Sequence, residues 1–123
     1  MYTISKEFRF AAAHYIEGLP EAHPCSRLHG HEYVVIVELK DDKLKNGMVR
    51  DYGDLSVIKN YLNKNFDHSY LNEVLSQKNT DPKNPTAENL AFYFYQTFVK
   101  TIPQISAITV KESPKTAARY EEI

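Results

Sequence analysis

Two stretches of this chain alternate apolar and polar residues with a period of two, and both carry histidine on the apolar side. From Tyr2 to His14, the residues Tyr2, Ile4, Phe8, Phe10 and Ala12 fall on one side, interrupted by Lys6, while Thr3, Ser5, Glu7 and Arg9 fall on the other. From about His29 to Lys40, the residues His29, His31, Tyr33, Val35, Val37 and Leu39 share a side. Successive side chains of a strand point to opposite faces, so each stretch reads as a long, half-buried β-strand. By the same parity His14 continues the first apolar face at its end. His29 and His31 point the same way, about 6.6 Å apart along the strand, a separation at which two imidazoles can converge on one metal ion. Gly30 between them leaves the opposite face open to close packing.

The rest of the chain supplies the covering layer. Gly18, Pro20 and Pro24 mark a loop from Tyr15 to Pro24. Asp41 to Gly47 is polar and turn-like; as a tight connection back it would make Met48-Val49-Arg50 a short extended piece. Asp54 reads as a helix N-cap, and Leu55, Ile58 and Leu62 recur at helical spacing, predicting a first helix to about Lys64. Residues 66–72 form a partly apolar connector and Ser76 to Pro85 a loop. Thr86 caps a second helix from Ala87 to about Thr101, with Leu90, Ala91, Phe94 and Phe98 as its apolar stripe. Ile105 to Lys111 is a third strand, and Thr116 to Ile123 a short fourth. The expectation is an α+β fold in ββααββ order: a four-stranded antiparallel sheet with two helices on one face. Its two long edges need partners, and closure into an oligomeric barrel would supply them.

Length and charge narrow the function classes. A chain of 123 residues predicts one domain, residues 1–123. A net charge of -1, with no basic block, gives no electrostatic reason to expect nucleic acid or a membrane surface as partner. The segment Met1–Lys6 lacks the build of a signal peptide, and no apolar run is long enough to span a bilayer. The single cysteine forms no intrachain disulfide, so a free thiol in a reducing, cytoplasmic setting is expected.

A lone histidine is ordinarily a surface or satisfied core residue. Three at the ends of neighbouring strands, on one face, are a different matter. Three His without a fourth protein ligand are the pattern of a catalytic zinc site that keeps one position open, and imidazole suits zinc among the available metals. Cys25 reads either as a small buried hydrophobe, as a metal ligand, or as a thiol whose pKa bound zinc and a nearby His68 would lower into a usable base or nucleophile. Asp67-His68 is either a solvated connector or a carboxylate orienting an imidazole. Glu112, closing an apolar strand, is either an exposed end charge or a pair of acceptor oxygens for a planar ligand with two adjacent N–H donors. Glu88 suits the helix dipole and needs no further role. Arg9 and Arg27 are surface residues by default and could meet an anionic substrate tail.

Six segments in order carry a resemblance over nearly the whole chain: Phe10-Ala11-Ala12-Ala13-His14, Cys25-Ser26-Arg27-Leu28-His29-Gly30-His31, Gly47-Met48-Val49-Arg50-Asp51-Tyr52, Phe66-Asp67-His68-Ser69-Tyr70-Leu71-Asn72, Asn84-Pro85-Thr86-Ala87-Glu88-Asn89 and Val110-Lys111-Glu112-Ser113. With these the chain resembles the family of 6-pyruvoyl- and 6-carboxy-tetrahydropterin synthases. The resemblance implies the tunnelling fold, with subunits closing into a barrel and two rings stacking as a hexamer, a dimer of trimers with active sites between subunits. It implies zinc on His14, His29 and His31, Cys25 as catalytic base, Asp67 and His68 as the proton-transfer set, and Glu112 as anchor of the pterin ring, with Thr86 and Arg27 as further substrate contacts. Phe66 stands where the family more commonly has Leu. Three residues separate Cys25 from His29, which is similar to the 6-carboxy-forming branch of queuosine biosynthesis. The pyruvoyl-forming branch has a longer gap, and an aldolase-like branch carries Glu at the Cys25 position.

The reaction so implied is that of a zinc-dependent carbon–carbon lyase. It converts 7,8-dihydroneopterin triphosphate to 6-carboxy-5,6,7,8-tetrahydropterin, acetaldehyde and triphosphate. Two other readings stay open at this point: the pyruvoyl-forming or aldolase-like reaction on the same fold, and a non-catalytic zinc or pterin-binding module.

Overall fold

The two alternating segments pair with each other along their full length. A computed structural model describes residues 1–122. Strand β1 (Tyr2–His14) and strand β2 (His29–Asp41) run antiparallel from Tyr2 opposite Asp41 to His14 opposite His29. Strand β4 (Ile105–Ser113) adds to the other side of β2, and β5 (Thr116–Glu121) pairs with β4, both antiparallel. The alternation fixes which face is buried. Phe8, Phe10 and Ala12 of β1, Tyr33, Val35, Val37 and Leu39 of β2, and Ile108 and Val110 of β4 all enter one core. The opposite face carries Glu7, Arg9, Glu32, Glu38 and Arg119, with ion pairs across strands from Arg9 to Glu32 and from Arg119 to Glu38, and along β1 from Arg9 to Glu7. Lys6 keeps its place in the apolar row by laying its ammonium over the Phe8 ring and reaching the Tyr52 carbonyl at 3.4 Å.

The helices cover the apolar face. Helix α1 (Ser56–Asn65) buries Ile58 and Leu62, and α3 (Ala87–Phe98) buries Leu90, Ala91, Phe94 and Phe98. The Thr86 hydroxyl accepts the Asn89 amide at 3.1 Å, the N-cap contact expected of it. Phe10 lies flat on Tyr33 with centroids 4.9 Å apart, and Phe66 and Phe94 meet Phe10 edge-on.

The expected four strands and two helices are corrected in three places. A fifth strand, β3 (Ser69–Tyr70), pairs parallel with Ala12–Ala13, so the sheet is mixed, in the order β3-β1-β2-β4-β5. Two residues carry no readable period, and their pairing is set instead by the preceding Asp67 and His68, which grip β1. A third helix, α2 (Leu71–Gln77), occupies the end of the expected connector and the start of the expected loop. Its stripe is only Leu71 and Leu75, one helical step, both buried. The element order is therefore ββαβααββ. The first helical region is also capped one turn early: Asp51, not Asp54, accepts the Gly53 amide at 2.8 Å and starts a 3-10 turn over Tyr52–Leu55, while Asp54 pairs with Arg50. Among the described residues no helix is long and apolar enough to cross a membrane.

Candidate metal centre and active site

The β1/β2 register brings His14 opposite His29, and His31 opposite Ala12, on the same face. One ligating nitrogen from each of His14, His29 and His31 lies within 4.8 Å of the others. His14 is fully buried and the other two are half-buried.

Backbone carbonyls decide which nitrogen of two rings faces inward. A carbonyl oxygen only accepts, so the ring nitrogen against it must donate. His14 Nδ1 donates to the carbonyl of Pro85 at 2.7 Å, and His29 Nδ1 donates to the carbonyl of Arg27 at 2.7 Å. In the neutral rings both Nε2 atoms are then bare lone pairs, and they face each other at 3.0 Å. Two acceptors at that distance repel unless a cation lies between them. This is the arrangement that outer hydrogen bonds give metal-ligating histidines. Burial also lowers the pKa of His31 and favours its neutral, ligating form. The donor set, three neutral imidazoles, fits zinc.

Glu112, at the end of β4, reaches the same point. Its Oε2 lies 3.2 Å from His14 Nε2 and 3.6 Å from His31 Nε2. Beneath the cluster Tyr33 is fully buried, its ring packed edge-on against His14 and His31. Burial, then the charge of Glu112, pushes its phenol up, so it stays a neutral hydroxyl.

Cys25 sits half-buried in a 3-10 turn (Pro24–Ser26). Its carbonyl accepts the Ile16 amide at 2.8 Å, which ties the turn to the chain just past His14. Its thiol is not part of the converging set, and no hydrogen bond joins it to His68 among the described residues. Asp67 and His68 form a pair of their own. Asp67 Oδ2 is 2.9 Å from His68 Nδ1, and the imidazole is 84% exposed. His68 adopts a left-handed backbone, φ 57°, which turns its amide onto Ala11 and its ring outward. Thr86 spends its hydroxyl on the helix cap, and the Arg27 side chain is exposed while its carbonyl holds His29. Two contributors escaped the sequence reading: the carbonyls of Pro85 and Arg27 carry no side-chain signal. The third, Tyr33, was visible there only as a core position.

A model of the 6-pyruvoyl tetrahydropterin synthase family matches residues 3–123. The chain belongs to this family. Within it, the chain is 35% identical to a Synechocystis protein named 6-carboxy-5,6,7,8-tetrahydropterin synthase, over 98% of this chain and 93% of the relative. It is 31% identical to a Haemophilus influenzae protein of the same name, over 99% and 100%. The fold is that of a solved Caenorhabditis elegans 6-pyruvoyl tetrahydropterin synthase, with TM-score 0.82 and 26% identity over 99% of this chain and 96% of that one.

Proposed function

We propose that this protein is a zinc-dependent 6-carboxy-5,6,7,8-tetrahydropterin synthase, residues 1–123 forming one catalytic domain. Its reaction would take 7,8-dihydroneopterin triphosphate to 6-carboxy-tetrahydropterin, acetaldehyde and triphosphate, in the cytoplasmic route to queuosine. The observation that carries this is 35% and 31% identity, over nearly the whole chain, to relatives of that name, in a chain where three residues separate Cys25 from His29.

His14, His29 and His31 would hold the metal, which when bound supplies Lewis-acid polarisation of the substrate's side-chain hydroxyls. Cys25 takes a proton from the side-chain carbon. His68, oriented by Asp67, moves protons to and from the same side chain. Glu112 receives the paired N–H donors of the pterin ring, Arg27 faces the triphosphate, and Thr86 completes the contacts around the ring. The exposure of His68 supports a site shared between subunits of a hexameric barrel.

Product analysis of zinc-loaded protein with 7,8-dihydroneopterin triphosphate tests the reading. Acetaldehyde with 6-carboxy-tetrahydropterin is the expected result. Likeness to the C. elegans pyruvoyl-forming enzyme supports a second reading, for which 6-pyruvoyl-tetrahydropterin would accumulate. Zinc binding without turnover would move the assignment to a binding module.

A further inference from the structure

The two inward lone pairs of His14 and His29 do not face each other alone. Glu112 Oε2, a third acceptor, lies 3.2 Å from His14 Nε2. Pro85 and Arg27 hold the Nδ1 protons on the far side of both rings, so neutral rings offer no proton to this carboxylate. We infer that Glu112 is the fourth ligand of the metal in the substrate-free protein, and that a bound pterin takes the same carboxylate away and opens the coordination position.

The spacing matches that role. Zinc with ligand bonds of about 2.0–2.1 Å sits in a tetrahedron whose edges are about 3.3–3.4 Å. The His14–His29, His14–Glu112 and His31–Glu112 separations are 3.0, 3.2 and 3.6 Å, close to that edge. The backbone of Glu112 follows Lys111, which is paired to Val34 of β2, so the sheet fixes the carboxylate on the face that carries the histidines. Neither Glu112 nor Cys25 belongs to the three-imidazole set, but Glu112 Oε2 lies 3.2 and 3.6 Å from two of its nitrogens.

The exchange follows from counting oxygens, and it rests on the reading of this site as a pterin site. A carboxylate that accepts two adjacent ring N–H groups uses both oxygens and keeps none for the metal. With Glu112 bound the centre is closed, as structural zinc sites are; with Glu112 drawn away it has the open position that catalytic sites need. The glutamate side chain is 28% exposed, so an incoming ring can reach it.

The test reads the metal and needs no turnover. Zinc affinity is measured by chelator competition, and the visible spectrum of the cobalt-substituted protein is recorded, for wild type, Glu112→Gln and Glu112→Asp. Both variants are expected to bind zinc at least about tenfold more weakly, no less than the loss of an outer partner does, and to change the cobalt spectrum. Neopterin added to the wild-type cobalt protein should shift its spectrum toward that of Glu112→Gln. Equal zinc affinities and identical spectra would overturn the ligand role. A wild-type spectrum indifferent to saturating neopterin would overturn the exchange. A His29→Ala protein that keeps stoichiometric metal would remove the centre itself, and the inference with it. A protein that passes these tests but releases the pyruvoyl product leaves the inference standing and overturns only the proposed reaction.

Discussion

Asp67 hangs from the backbone of Ala11: its Oδ1 accepts the Ala11 amide N–H at 2.9 Å. The next residue completes the grip, with the His68 amide donating to the Ala11 carbonyl at 2.6 Å. Both backbone groups of Ala11 are thereby used by the Asp67-His68 pair, which docks onto β1 three residues before His14. The Ala11 amide foremost, then His68, holds the Asp67 carboxyl below its usual range. One carboxylate thus fixes a sheet edge with one oxygen and an imidazole with the other.

The first prediction is a pH dependence of stability through Asp67. A carboxyl whose pKa is lower in the folded protein binds a proton less readily there than in the unfolded chain, near 3.9. Its stabilisation is therefore fully present above about pH 4 and is lost as the pH falls further, through the folded value. Asp67→Asn removes that loss, so its stability should fall less steeply than wild type below about pH 4. Denaturant melts at neutral and acid pH measure the difference. Parallel acid limbs in the two proteins would show that the Ala11 contact is not linked to Asp67 ionisation.

His68 separates backbone strain from chemistry. A non-glycine residue at φ 57° carries a steric cost of about 1–2 kcal/mol that glycine lacks. Its contact with Asp67 is exposed and screened by solvent, and adds little. His68→Gly is therefore expected to be as stable as wild type, while turnover falls about 10²–10⁴-fold with loss of the proton carrier. Thermal melts and kcat give the two readings, and full activity in a stable His68→Gly would free the imidazole from any role in proton transfer.

Cys25 is expected to be silent in metal binding and decisive in turnover. Its thiol stands outside the three-imidazole set, and its turn is held by bonds that do not involve sulfur: the Ile16 N–H donates to the Cys25 carbonyl, and the Cys25 N–H donates to the His23 side chain at Nδ1. Cys25→Ala should keep the fold and a full complement of zinc and lose about 10²–10⁴-fold in kcat. Metal content by elemental analysis and single-turnover rates check both halves. A variant that loses zinc instead would make the thiol a ligand.

The parity of two strands was enough to bring three histidines together, because a buried face admits only one register and one side for each residue. It was also enough to place Phe8, Phe10, Tyr33, Val35 and Val37 in the core. What the sequence hid were contacts made by backbone atoms or by elements too short to show a period. Ser69–Tyr70 became a strand because Asp67 and His68 seize Ala11. The 51–55 turn was misread because Asp51 and Asp54 are equally good cap residues, and only the actual contact with Gly53 selects between them. The approach of Glu112 to His14 is a further case. The alternation that fixes the three histidines places Glu112 only at a strand end, and its side-chain reach emerges from the assembled sheet.

The last prediction compares His29→Ala with wild type in the presence and absence of zinc. Both lose or gain different things, because His29 is part of an apo-state repulsion as well as a ligand. A metal that binds only the folded protein adds about 2.7 kcal/mol at a hundredfold excess over its dissociation constant, so zinc should raise the wild-type melting temperature by several degrees. His29→Ala leaves two imidazoles and the Glu112 carboxylate, and at the same zinc concentration this zinc-dependent rise should be lost. The metal-free variant, however, is relieved of one of two lone pairs held 3.0 Å apart, and the half-buried side chain leaves little cavity. Its apo melting temperature should therefore be no lower than that of the wild-type apo protein. His14→Ala behaves differently: it too loses the zinc response, but the Pro85 carbonyl it satisfied from a fully buried position is left without its donor, at a cost of about 1–3 kcal/mol. Calorimetry of the three proteins with and without zinc reads all of this at once. An apo His29→Ala that melts well below apo wild type would mean that the two Nε2 atoms share a proton, with His14 or His29 an imidazolium, and not bare lone pairs awaiting a cation.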